Sequence, residues 1–222
     1  MEKHATPYFM KYPYFNIFFL FIVGFNLITL DHITDYRIVA KPLIMATLLG
    51  FYISKVQKQS YAFLTAMIFA LLGDAFLLFT SDDFFIIGLS CFLLMQILYM
   101  TVFLKDRSRK TPVVYGAVAA IIFSGILLLY YLWPALNTMQ IPVALYTAAI
   151  TVMVISAILR SDSVRAYPWV VAGVLLFMVS DGVLAVGKFR EALPSQHYIV
   201  MLTYMLAQYF IVTGMAEHHK SD

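Results

Sequence analysis

Eight stretches of this chain are almost wholly apolar, and polar residues gather in the short gaps between them. Their approximate limits are 13–30, 38–54, 61–79, 84–104, 112–133, 139–159, 167–187 and 197–215. Crossing a hydrocarbon layer of ~30 Å takes about 20 mainly apolar residues, and each stretch is close to that length. They predict helices, because in lipid only helices and closed barrels satisfy their own backbone, and these runs are too continuous for barrel strands. The expected fold is therefore all-α, a single polytopic transmembrane domain of eight helices covering residues 1–222.

Composition excludes a water-soluble alternative. Hydrophobic residues make up 62% of the chain and charged residues 12%, with a mean hydropathy of +0.85. Soluble domains hold about 25% charged residues, and too few are present here to cover a wet surface. The single cysteine, Cys91, excludes an internal disulfide. The net charge of +3 comes from loops, so no nucleic-acid partner is expected. Nothing after Lys3 and Lys11 reads as a cleavable signal.

Lysine and arginine set an expected orientation. One side carries Lys3, Lys11, Lys55, Lys58, Lys105, Arg107, Arg109, Lys110, Arg160, Arg165 and Lys220, eleven of the fifteen basic residues. The other carries Arg37, Lys41, Lys188 and Arg190. Positive charge favours the cytoplasm, which places both termini there. Small size and short loops point to a bacterial inner membrane. No loop can hold a soluble domain, so chemistry belongs inside the bundle or at its rim.

Two carboxylates lie within the apolar runs, Asp74 in Leu72-Gly73-Asp74-Ala75 and Asp181 in Val179-Ser180-Asp181-Gly182. An Asp at the centre of a membrane helix costs ~2.5–3.5 kcal/mol on insertion scales, so each must face the bundle interior or a wet cavity. Asp74 is thirteen residues beyond Tyr61 and Asp181 fourteen beyond Tyr167. At 1.5 Å per residue both sit about 20 Å from the cytoplasmic end, roughly 10 Å below the outer edge. Asn26, Tyr146 and Tyr204 fall at a similar depth, Lys41 can reach toward it, and Gln96 and Gln208 lie nearer the midplane. The expectation is a polar chamber in the outer half, floored by the two glutamines.

Each group also has an ordinary structural reading. An intramembrane Asp can serve packing or folding, Lys41 can snorkel to the interface, and Gln96 and Gln208 can be interhelical glue. Tyr146 and Tyr204 can be aromatic packing. His32 and His197 fall at the outer boundary, while His218 and His219 belong to the C-terminal tail. No run shows metal-ligand spacing, a phosphate loop or a nucleophile elbow, and neither metal nor cofactor is expected. The halves also resemble each other: Gly73-Asp74-Ala75 parallels Ser180-Asp181-Gly182, Leu93 to Gln96 parallels Met205 to Gln208, and Pro42 parallels Pro142. A tandem copy of four helices would be a parallel repeat that brings the two Asp residues near one axis.

Taken together, the motifs resemble the YhhN-like lysoplasmalogenase family. They are Lys41-Pro42-Leu43, Leu72-Gly73-Asp74, Phe92-x-x-x-Gln96-x-x-Tyr99, Pro142-Val143-x-x-Tyr146, Ser180-Asp181 and Tyr204-x-x-Ala207-Gln208. The resemblance covers six of the eight spans, and departs at Gln96, where many family members carry histidine. It implies an integral membrane hydrolase that cleaves the vinyl-ether bond of lysoplasmalogens, releasing a fatty aldehyde and glycerophospho-ethanolamine or -choline. It implies Asp74 and Asp181 as catalytic residues. Lys41, Asn26, Gln96, Tyr99, Tyr146, Ser180, Tyr204 and Gln208 would line the substrate site. The expected partners are the lysophospholipid and membrane lipid; no protein partner is implied.

That chemistry fits the buried pair. Protonating the β-carbon of a vinyl ether gives an oxocarbenium ion, which water captures, and the hemiacetal then collapses. Two carboxyls in a low-dielectric chamber can divide the work, one as acid and one as anion, as a carboxyl pair does in glycosidases. Asp181 is the expected donor and Asp74 the base, with the lipid phosphate near Lys41 at the rim. Two other classes remain open from the residues alone. A proton-coupled transporter could use the same carboxylates, and a non-catalytic lipid-binding protein would tolerate their loss.

Overall fold

The computed structural model describes residues 11–31, 36–79, 81–108, 111–161 and 166–220. Eight long helices form within them: α1 (Pro13–Asp31), α2 (Arg37–Lys55), α3 (Tyr61–Phe76), α4 (Asp82–Phe103), α5 (Pro112–Leu132), α6 (Gln140–Ile158), α7 (Tyr167–Phe189) and α8 (Gln196–His219). No strand occurs among the described residues. Every apolar run of the sequence holds one helix, and several helix starts have a local cause. Ser60 and Ser81 cap α3 and α4 by accepting the N–H of Phe63 and Phe84, and proline opens α1, α5 and the first turn of α7.

Seven helices are long and apolar enough to cross a membrane, and α3 differs. It has 16 residues, about 24 Å at 1.5 Å per residue, and stops at Phe76 rather than running to 79. Leu78 and Phe79 then bond back to Ala75 and Phe76 in tight i→i+3 turns. The apolar turn residues hide this end from a hydropathy reading.

Lipid tails are as apolar as leucine, so helices in a bilayer associate through close packing and interhelical hydrogen bonds. Two glycines make that packing concrete, on the helices that carry the carboxylates. A Cβ at Gly73 of α3 would lie 2.7 Å from the Phe92 ring of α4. A Cβ at Gly173 of α7 would lie 2.8 Å from Ile211 and 2.9 Å from the Ala207 carbonyl of α8. The hairpins α3–α4 and α7–α8 are the most intimate pairs in the bundle. Three further pairs of neighbours match between halves, α1–α2 with α5–α6, α2–α3 with α6–α7, and α4–α6 with α8–α2, whereas α1–α8 and α5–α7 have no counterpart of similar closeness.

Helix α8 is the most enclosed helix and α5 the most peripheral. On α5 only Gly125 and Leu132 are buried, while Phe123, Ile126 and Tyr130 face outward. Apolar side chains on the outside suit a lipid surround, and they make this an integral membrane protein.

Candidate active site

Asp74 stands on the last turn of α3, 1% exposed. Its Oδ2 accepts the Tyr204 hydroxyl of α8 at 2.6 Å. Its Oδ1 faces the Lys41 ammonium of α2 at 3.9 Å and makes no hydrogen bond. Asp181 of α7 is partly exposed to a cavity, and its Oδ2 accepts the Tyr146 hydroxyl of α6. Each carboxylate is thus met by a group from the helix preceding its own, Lys41 for Asp74 and Tyr146 for Asp181. The Tyr204 ring is held between Phe92 and Phe177, each 6.1 Å away centre to centre.

Asp74 and Asp181 open into one cavity of about 840 Å³, which Tyr204 and Ser180 also line. Lys41 is close enough to feel the charge of both. Its side chain is only 14% exposed, so it belongs to the carboxylate site and is neither a snorkelling residue nor a rim residue. The mouth is edged instead by Arg37, Lys188, Gln196 and His197. Lys188 pairs with Asp82 at 3.1 Å, whereas Arg37 makes no ion pair among the described residues. A second, apolar cavity of about 730 Å³ runs between α4, α5, α6 and α7. The two share Leu77, Phe85, Phe92, Leu184 and Asp181, so Asp181 stands at their junction.

Several residues expected at the site lie elsewhere. Neither Gln96 nor Gln208 lines the cavity; the Phe92 ring, one turn outward from Gln96 and pressed against Gly73, takes the place of the floor. Gln96 is fully buried beside Tyr146, yet neither amide atom reaches hydrogen-bond geometry. Gln208 accepts a long bond from Tyr99 at 3.4 Å and points its amide nitrogen at the Met95 sulfur, 3.6 Å away. Tyr99 is stacked on Phe63 inside the core. Asn26 donates to the carbonyls of Ile22, at 3.0 Å, and Ala40, at 2.8 Å, which ties α1 to α2 one residue before Lys41. Ser180 reaches the cavity but gives its hydroxyl proton to the Val200 carbonyl at 2.9 Å. His32 lies outside the described residues.

In the sequence Arg37 and Lys188 read only as topology charges, and His197 as an outer-boundary residue. Helical periodicity carried a signal for the first two. Arg37 and Lys41 are four apart and Asp181 and Lys188 seven apart, so each pair shares a helix face. Among the described residues no cluster of three or more His, Cys, Asp or Glu could hold a metal.

An anion opposite an ammonium, a second carboxyl nearby and an adjoining apolar chamber can together protonate, stabilise and hydrate a reacting group on an amphiphile. Several known proteins are similar to this chain. Bovine lysoplasmalogenase TMEM86A is 30% identical over 158 residues, 68% of this chain and 63% of its own length. Human lysoplasmalogenase TMEM86B is 29% identical over 187 residues, 82% of this chain and 76% of its own. A Mycobacterium bovis lysoplasmalogenase is 28% identical over 136 residues, 59% of this chain and 50% of its own. The chain therefore spans between half and three quarters of the length of these curated relatives. No solved structure matches it. The YhhN family matches residues 36–215, a stretch that contains both carboxylates, the Lys41, Tyr146 and Tyr204 groups that meet them, and Arg37 and Lys188 at their cavity, and the chain belongs to that family.

Proposed function

We propose that this protein is a membrane hydrolase that cleaves the vinyl-ether bond of lysoplasmalogens, with Asp74 and Asp181 as its acid–base pair. The observation that carries the reading is that carboxylates from α3 and α7 open into one cavity beside an apolar chamber. The names of its relatives supply the substrate class.

In this mechanism the alkenyl chain enters the apolar chamber and the glycerophosphate stays at the mouth, near Arg37 and Lys188. Asp181, at the junction of the two spaces, gives its proton to the β-carbon of the vinyl ether. Positive charge then develops on the α-carbon and ether oxygen, where the Asp74 carboxylate offsets it. Among the described residues only Asp74 has a lysine partner of the two, which suits it to be the anion. Water, deprotonated by Asp74, adds to the α-carbon. As the hemiacetal breaks its bond to the glycerol oxygen, its hydroxyl proton passes to Asp181 and Asp74 gives the water-derived proton to the departing oxygen, giving a fatty aldehyde and a glycerophospho-alcohol and restoring Asp181 as the acid and Asp74 as the anion. Tyr204 and Tyr146 hold those carboxyls in orientation.

The same reading puts both termini in the cytoplasm, as the lysine and arginine bias favours, with α3 completing an eighth crossing in a bacterial inner membrane. A short helix can be accommodated by local thinning. We read the halves as a parallel repeat, which the matching helix neighbours support.

The test is turnover of lysoplasmenyl-ethanolamine by purified protein in D2O. Protonation at the β-carbon predicts aldehyde with one deuterium on the carbon next to the carbonyl. Aldehyde release no faster than without protein would overturn the assignment, and aldehyde lacking that deuterium would overturn the mechanism.

A further inference from the structure

The bundle has a second polar cavity at the end opposite the carboxylate site. It forms where the α2–α3 connection, the first turn of α3, the end of α4 and the end of α8 meet, and it holds about 850 Å³ of open space. It shares no lining residue with either cavity near Asp181.

Its walls are strongly basic. Lys58, Lys105, His218 and His219 line it, with Ser60 and Gln59 adding polar groups, and Asp106 is the one carboxylate among them. That carboxylate is already engaged: Arg160 Nη2 reaches it at 2.9 Å and Nε at 3.3 Å, and His218 Nε2 at 3.0 Å. Arg160 is itself fully buried. Among the described residues one carboxylate therefore faces the permanent charges of Lys58, Lys105 and Arg160, which leaves a surplus of positive charge there. Neither lysine makes an ion pair or hydrogen bond among the described residues.

The cavity is also firmly framed. The Tyr52 hydroxyl hydrogen-bonds His219 Nδ1 at 2.7 Å and accepts the Ser60 N–H at 3.3 Å. This holds α2, the start of α3 and the end of α8 in register. Both lysines are exposed and edge a concave polar space large enough for a small molecule.

We propose that this cavity binds a phosphate group, borne either by a soluble ligand or by an anionic lipid headgroup. Lysine ammonium groups bind phosphate as point charges, and a phosphate has oxygens enough to meet both lysines at once. A zwitterionic headgroup, whose ammonium would meet the same cations, is disfavoured.

Thermal unfolding of the purified protein separates the two sources. One arm titrates inorganic phosphate in detergent against chloride at equal ionic strength. The other compares phosphatidylcholine nanodiscs with and without phosphatidic acid. A rise in midpoint in either arm, lost in K58Q/K105Q and kept in K58R/K105R, supports the site and identifies the source. The Gln pair should weaken the probe's affinity at least tenfold, and the single K58Q serves if the pair does not fold. No rise in either arm, or a rise unchanged by the Gln substitutions, overturns it. Because the readout is binding rather than turnover, it stands apart from the proposed activity.

Discussion

Removing the hydroxyl of Tyr204 is the most informative single change. Tyr204→Phe keeps the ring that packs against Phe92 and Phe177 and deletes only the donor to Asp74 Oδ2, which sits at 2.6 Å. The acceptor is a carboxylate 1% exposed, so water cannot readily replace the lost bond. Hydrogen bonds to charged groups are worth about 1.5–3 kcal/mol. If Asp74 acts as the anion in the transition state, that loss lowers kcat/KM about 13- to 160-fold, at 1.36 kcal/mol per decade. The assay is the initial rate of aldehyde release in detergent micelles, alongside a thermal midpoint. The midpoint should fall in Tyr204→Phe but change much less when Asp74→Asn is already present, because the two residues form one interaction. A variant within threefold of the parent rate, with its fold intact, would refute the reasoning.

Other outcomes follow from the same contacts. Gln96→Leu should leave activity within a few-fold and hold or raise the thermal midpoint, since both buried amide atoms lack hydrogen bonds and an apolar replacement removes that cost; a large loss of either would show the amide in use. Gly173→Leu should sharply reduce the yield of folded protein, because its side chain would meet the Ala207 carbonyl and Ile211 across the α7–α8 contact; a normal yield and midpoint would show that the two helices can separate freely. In the D2O experiment the label should enter at the carbon next to the aldehyde, which mass spectrometry reads directly.

Much of this architecture was legible from hydropathy, because membrane helices must satisfy their own backbone and so announce themselves as long apolar runs. Counting residues from the first residues of α3 and α7 also put Asp74 and Asp181 at one depth, and both line one cavity. Depth is not direction, however. Gln96 and Gln208 lie near the expected level but turn into the core, where Phe92 stands between Gln96 and the cavity. Asn26 lies at the right depth too, yet its amide serves the Ala40 carbonyl. Lys41 reaches down to Asp74, as its place near the start of α2 allows, rather than standing at the rim to meet the lipid phosphate. The early end of α3 was hidden because Leu77, Leu78 and Phe79 are as apolar as the helix they terminate.

The most direct test compares Asp74→Asn, Asp181→Asn and the double variant on lysoplasmenyl-ethanolamine, each verified as folded. Groups that act as one catalytic unit give non-additive losses. The account predicts that each single change brings aldehyde release close to background and that the double variant is no slower than the slower single one. Substantial turnover in either single variant, or losses that simply multiply in the double, would contradict it.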